Sequence, residues 1–201
     1  MMDELRLFVA IELPDRAVRD LETLQDRLRQ IDPEDVIRWS SGDAFHLTLK
    51  FLGPAPEDEL PELCDALGDA IRRSQIAPFD LIADGLGGFP DILQPRTIWA
   101  GIGGALDPLT TLQRHLEKAV APLRLPVDHK PFSPHLTLGR AYQNVAKAKL
   151  SAFGSRLSEL DVGHISRWQV AAVWLMHSDL QPRGPIYHEV ARWSLPIPAE
   201  H

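Results

Sequence analysis

Two histidines in this chain, His46 and His135, each open the tetrapeptide His-Leu-Thr-Leu, at residues 46–49 and again at 135–138. Both copies are β-type words. Side chains alternate between the faces of a strand, so in each copy His and Thr share one face and the two Leu share the other. The Leu pair can seat the strand on a core while the His-Thr pair looks into a cleft. An imidazole gives or takes a proton near neutral pH, and two of them on matched strands suit a reaction that needs an acid and a base at once. Thr48 and Thr137 add hydroxyl donors for the non-bridging oxygens of a phosphate.

Two cations follow the motifs. Lys50 lies four residues past His46, so a regular strand puts it on the His46 face, where it would support an anion. Arg140 lies five residues past His135, on the opposite face of an ideal strand, unless Gly139 bends the chain and returns it to the cleft. The remaining histidines, His115, His129, His164, His177, His188 and His201, form no pair at metal-ligand spacing with nearby carboxylates. No metal or cofactor is therefore expected. His177 and His188 are placed to meet across a hairpin, in a structural role. The chain has no Walker A loop, no dinucleotide fingerprint around Gly85–Gly88 and no serine nucleophile elbow.

The tetrapeptides belong to a longer repeat. Arg6-Leu-Phe-Val-Ala-Ile11 and Thr23-Leu-Gln-Asp-Arg-Leu28 precede the first copy. Arg96-Thr-Ile-Trp-Ala-Gly-Ile102 and Thr111-Leu-Gln-Arg-His-Leu116 precede the second. The three anchors agree in order and near-constant offset, which marks an old duplication of a strand–helix–strand unit. Its period is far longer than the roughly 20–50 residues of solenoid repeats. Two lobes of one domain, residues 1–201, are expected.

Elements that could hold these residues read off the apolar pattern. Leu5–Leu13 is a buried strand. A helix opens at Pro14-Asp15, with Val18, Leu21, Leu24 and Leu28 on one face. A second helix covers residues 56–73. Strands follow at Pro78–Phe89 and 96–102. Asp107 is expected to cap a third helix with Pro108 in its first turn. Pro122–Pro134 reads as loop, and helical signal at Val145–Phe153 is weak. The apolar runs Trp168–His177 and Ile186–Leu195, separated by Asp179–Pro185, read as an antiparallel hairpin. Mixed strands and helices with hairpins give α+β rather than a parallel sheet.

The chain has 201 residues, 44% hydrophobic and 24% charged, which is ordinary for a globular protein. Its net charge of −7 argues against broad coating of nucleic acid but leaves room for a small phosphate cleft. A single cysteine, Cys64, excludes an internal disulfide. Met1-Met-Asp-Glu-Leu-Arg6 carries acids where a signal peptide needs positive charge, and no run approaches a membrane span. The expected compartment is the cytoplasm.

The paired His-x-Thr-x motifs resemble the two-histidine phosphoesterase superfamily. The flanking words are similar to its RNA 2′,3′-cyclic phosphodiesterase branch, also called the 2′-5′ RNA ligase family. Those words include Phe45-His-Leu-Thr-Leu-Lys-Phe-Leu-Gly53, Pro95-Arg-Thr-Ile-Trp-Ala-Gly101, Phe132-Ser-Pro-His-Leu-Thr-Leu-Gly-Arg140 and the tail hairpin with Gly184-Pro-Ile-Tyr187. The resemblance implies a bilobal α+β fold with a pseudo-two-fold duplication. It implies two antiparallel or mixed sheets facing a central cleft, with helices outside. It implies metal-independent opening of a 2′,3′-cyclic phosphate at an RNA 3′ end to a 2′-phosphate, with reversible 2′-5′ ligation in some members. It makes His46 the proton donor and His135 the proton acceptor, with Thr48, Thr137, Arg140 and Lys50 around the substrate. RNA 3′ ends, tRNA halves among them, are the implied partner, and a monomer the implied state. Two alternatives stay open. One is a phosphodiesterase on cyclic ADP-ribose phosphate or 2′-5′ oligoadenylate. The other is a non-catalytic module that binds RNA ends.

Overall fold

A computed structural model describes residues 4–123, 125, 131–181 and 184–197. His129 and much of the loop expected at 122–134 lie outside the described residues, as do Met1–Asp3, His201 and the turn inside Asp179–Pro185. The strands are β1 (Glu4–Glu12), β2 (Ile37–Trp39), β3 (His46–Pro56), β4 (Phe79–Phe89), β5 (Thr97–Gly104), β6 (His135–Ala141), β7 (His164–Val170), β8 (Ala172–Gln181) and β9 (Gly184–Ser194). The helices are α1 (Asp15–Gln30), α2 (Leu60–Ser74), α3 (Leu106–Val120) and α4 (Lys147–Ser158). The class is α+β, and every strand pairing among the described residues is antiparallel.

Where two facing sheets were expected, the strands form one hydrogen-bonded sheet. Its order is β7-β4-β5-β6-β3-β1-β8-β9, with β2 beside the far end of β6. The centre explains the difference. The motif strands β3 and β6 are neighbours and are joined by one register pair, Leu47 with Leu136. On one side of that junction stand β3, β1, β8 and β9, and on the other β6, β5, β4 and β7.

The helices cover one face of the sheet. α1 packs on β7, α2 on β9 and on α3, and α3 on β3. Helical spacing produces the contact: Leu21, Leu24 and Leu28 of α1, and Leu109, Leu112 and Leu116 of α3, are each at most 3% exposed. Leu47, Leu49, Leu136 and Leu138 meet this core and are also nearly inaccessible. The other face carries a smaller apolar cluster of Phe8, Ala10 and Met176, bordered by Trp174 and Tyr187.

Two local expectations are corrected. The run Trp168–His177 is not one strand. It divides at Ala171 into β7, which pairs with β4, and β8, which pairs with β1 on the other side of the sheet. Val170 and Ala172 are both buried, so the apolar pattern runs unbroken through the crossing. The hairpin is β8 with β9, and His177 stacks on His188 across it at 5.9 Å. Asp107 does not cap α3. The cap residue is Ala105, and Asp107 lies inside the first turn, where its charge faces the positive end of the helix.

Candidate active site

The register Leu47↔Leu136 puts both Leu of that pair on the helix side, so His46, Thr48, His135 and Thr137 all face the opposite side. Extended by one residue in each direction, it sets His46 across from Thr137 and Thr48 across from His135. His46 and His135 are then diagonal neighbours, their backbone positions about 7–8 Å apart, and their side chains face the same cleft.

Both rings are held in the same way. His46 Nδ1 lies 2.9 Å from the carbonyl oxygen of Ala44, and His135 Nδ1 lies 2.7 Å from that of Ser133. A carbonyl only accepts, so each Nδ1 carries the proton and donates it. Among the described residues neither Nε2 has a hydrogen-bond partner, so each can accept a proton when the ring is neutral or give one when it is charged. Chain entry just before each motif strand supplies the carbonyl, two residues ahead of each histidine.

Aromatic side chains wall the two rings. Phe8 lies 4.8 Å from His46 and Tyr187 meets it edge-on at 4.9 Å. Phe89 meets His135 edge-on at 5.0 Å, and Trp99 lies 6.1 Å away. Tyr187 on the outermost strand β9 reaches β3 across β8 and β1, so the sheet curls over the site. Gly87 makes room for Trp99, because a Cβ there would overlap the indole. Strand alternation in the sequence does not place these four aromatics at the site. Phe8 and Trp99 sit in the repeated words and Tyr187 in the tail hairpin, but only the curl brings them against the histidines.

Lys50 and Arg140 exchange the faces that regular alternation gives them, through one device used twice. Along β1, Val9 pairs with Lys50 and Ala10 with Thr48, which leaves Leu49 as an extra residue. Along β5, Ile98 pairs with Gly139 and Trp99 with Thr137, which leaves Leu138 as an extra residue. A bulge of this kind flips every later side chain. Lys50 therefore turns into the core, where it is 4% exposed and its Nζ lies 3.0 Å from Glu117 Oε1 on α3. The expectation of Lys50 at the anion site is corrected on this ground. In the second copy the same flip sends Gly139 inward, against Ile37 and Trp39 of β2, and Arg140 outward to the histidine face. The bulge returns Arg140 to the cleft, and Gly139 fills the tight place that the bulge creates.

The electrostatics follow from this layout. Burial pushes His46 down to about 4, reinforced by the charges of Arg140 and His135 and opposed by the Ala44 carbonyl. His135 is also lowered, chiefly by burial and then by Arg140, against the Ser133 carbonyl. Burial raises the Tyr187 phenol, and Arg140 opposes it. One guanidinium thus acts on all three groups. Among the described residues no group of three or more His, Cys, Asp or Glu is placed to hold a metal ion. Nor is any described helix long and apolar enough to cross a membrane.

Two imidazoles, two hydroxyls and a guanidinium on one face define a phosphoesterase of the two-histidine type. The chain belongs to the LigT-like phosphoesterase family, whose model matches residues 11–99 and 103–187. It is 32% identical over 196 residues to the RNA 2′,3′-cyclic phosphodiesterase of Thermus thermophilus, covering 95% of this chain and 90% of that protein. It is 29% identical over 188 residues to the enzyme of that name from Methanothermobacter thermautotrophicus, covering 93% and 97%. Its fold matches a crystal structure from Thermus thermophilus with a TM-score of 0.79 at 30% identity, over 95% of this chain and 98% of that one. It matches E. coli LigT complexed with 3′-AMP with a TM-score of 0.73 at 25% identity, over 96% and 99%.

Proposed function

We propose that the protein hydrolyses 2′,3′-cyclic phosphates at RNA 3′ ends to 2′-phosphates, without a metal. The observation that carries this reading is the matched pair of imidazoles on one face, each with Nδ1 tied to the carbonyl two residues back and, among the described residues, no partner at Nε2. The names of the relatives support the substrate class, and the 3′-AMP held by E. coli LigT is compatible with a nucleotide end in such a cleft.

In this mechanism the cyclic phosphate sits over the junction of β3 and β6. Thr48, Thr137 and Arg140 hold its non-bridging oxygens. His135 Nε2 takes a proton from water as the water oxygen bonds to phosphorus. The bond from phosphorus to O3′ breaks in line, and His46 Nε2 gives its proton to O3′. The 2′-phosphate remains. Run with an RNA hydroxyl in place of water, the same steps join or cleave a 2′-5′ linkage. The donor role of His46 requires the substrate itself, because the half-buried ring, lowered to about 4, is neutral in the free protein. The anionic phosphate raises its proton affinity as it binds. The reading includes one two-lobed domain descended from a duplicated unit, acting as a cytoplasmic monomer with RNA ends such as tRNA halves as substrates.

The test is a short RNA ending in a 2′,3′-cyclic phosphate, incubated with the protein in excess chelator. A product that resists a 3′-specific phosphatase and yields to a general one is expected. Predominant 3′-phosphate would reverse the leaving-group assignment, and loss of turnover restored by a divalent ion would refute the metal-free mechanism.

A further inference from the structure

The bulge that aims Arg140 is braced from the other repeat. Gln25 lies on α1 of the first unit and is 2% exposed. Its Nε2 donates to the carbonyl of Leu138 at 2.8 Å and to that of Ser40 at 2.9 Å. Leu138 is the residue that β5 leaves unpaired, and the Ser40 N–H also donates to its oxygen at 2.9 Å. The amide of one buried side chain therefore ties the bulge of β6 to the end of β2.

The duplication repeats the arrangement with a change. Gln113 stands in the second Thr-Leu-Gln word where Gln25 stands in the first. Its Nε2 lies 3.4 Å from Glu117 Oε2, and the other carboxylate oxygen holds Lys50, the residue after the β3 bulge. Each helix thus reaches the motif strand of the opposite unit. Gln25 contacts the bulge directly because Gly139 offers no side chain. On the other side Lys50 supplies one and Glu117 answers it.

We propose that Gln25 is a positioning residue, which pins the Leu138 bulge and so holds Arg140 on the face of the two histidines. Regular alternation without the bulge would put Gly139 in the cleft and turn Arg140 toward the core. A brace that removes this alternative acts on phosphate binding through Arg140 and not through contact with substrate. The proposal rests on the phosphodiesterase reading for its turnover assay, and it can also be read by binding alone.

The experiment is a double-mutant cycle of Gln25→Met with Arg140→Ala. Methionine keeps the length of the side chain and removes its donor. Gln25→Met is expected to lower kcat/KM on cyclic-phosphate RNA and the affinity for inorganic phosphate by about tenfold each, the scale of a coupling near 1.4 kcal/mol. In the Arg140→Ala background the same substitution should change either quantity by less than about twofold. A loss that multiplies in the double variant would overturn the proposal, as would a lowered Tm with phosphate affinity unchanged. If the methionine variant does not fold, Gln25→Leu enters the same cycle, since it also lacks the donor. The phosphate-binding arm remains readable in a protein with no turnover, which separates failure of this inference from failure of the assigned reaction.

Discussion

Binding of a phosphate should move His46 by about three pH units. In the free protein its imidazole is lowered to about 4, first by burial and then by Arg140 and His135. From an ordinary value of 6.5 that is about 3 kcal/mol against the charged form, and about one molecule in a thousand carries the proton at pH 7. A phosphate monoanion about 4 Å away, at an effective dielectric near 20, contributes about 4 kcal/mol in favour of charge. That offsets the penalty and brings the bound value to about 7. In the proposed mechanism the substrate therefore creates the acid that the reaction needs. The assay is an NMR titration of the imidazole Cε1–Hε1 signals, free and saturated with a nucleoside monophosphate, with His46 assigned by its alanine variant. Proton uptake on binding near pH 6 is a second readout. A free His46 titrating near 6.5, or a bound value that moves by less than one unit, would refute the reasoning.

Other outcomes follow from the same geometry. Arg140→Ala should raise the titration of both histidines, because the guanidinium lowers each; unchanged titrations would place the arginine elsewhere. The lowered His46 should also destabilise the protein in acid. The unfolded chain takes up the proton first, so stability held above about pH 6.5 is lost as pH falls toward 4, by up to about 3 kcal/mol. Urea midpoints at those two pH values measure it, and His46→Ala should shrink the loss. Glu117→Ala should cost about 3 kcal/mol by leaving Lys50 buried without a partner. Lys50→Met should cost less, and KM should stay within about threefold. A Lys50 variant of wild-type stability with a much higher KM would return the lysine to the substrate site.

The chemistry of this protein was more legible in the sequence than the faces on which it is displayed. His46, Thr48, His135 and Thr137 need only period-two alternation over three residues, and the structure keeps that alternation. Lys50 and Arg140 lie beyond a bulge, and a bulge is a property of a strand with its partner. Nothing within His-Leu-Thr-Leu states that β1 skips Leu49 or that β5 skips Leu138. The crossing at Ala171 was hidden for a related reason. It joins two strands that are both apolar, so the run read as one. The walls of the site, Phe8, Tyr187, Phe89 and Trp99, depend on the curl of the sheet, which no local pattern encodes. The duplicated Thr-Leu-Gln words were visible as repeats, but their buried contacts to the opposite unit were not.

The central claim is that the two matched histidines carry both proton transfers. It is tested most directly by turnover of one cyclic-phosphate RNA by the wild type, His46→Ala and His135→Ala, with Tm measured alongside. Each variant is predicted to lose roughly 10²–10⁴-fold in turnover while remaining folded, the usual scale for a missing general acid or base. Turnover within threefold of wild type in either folded variant would contradict the account.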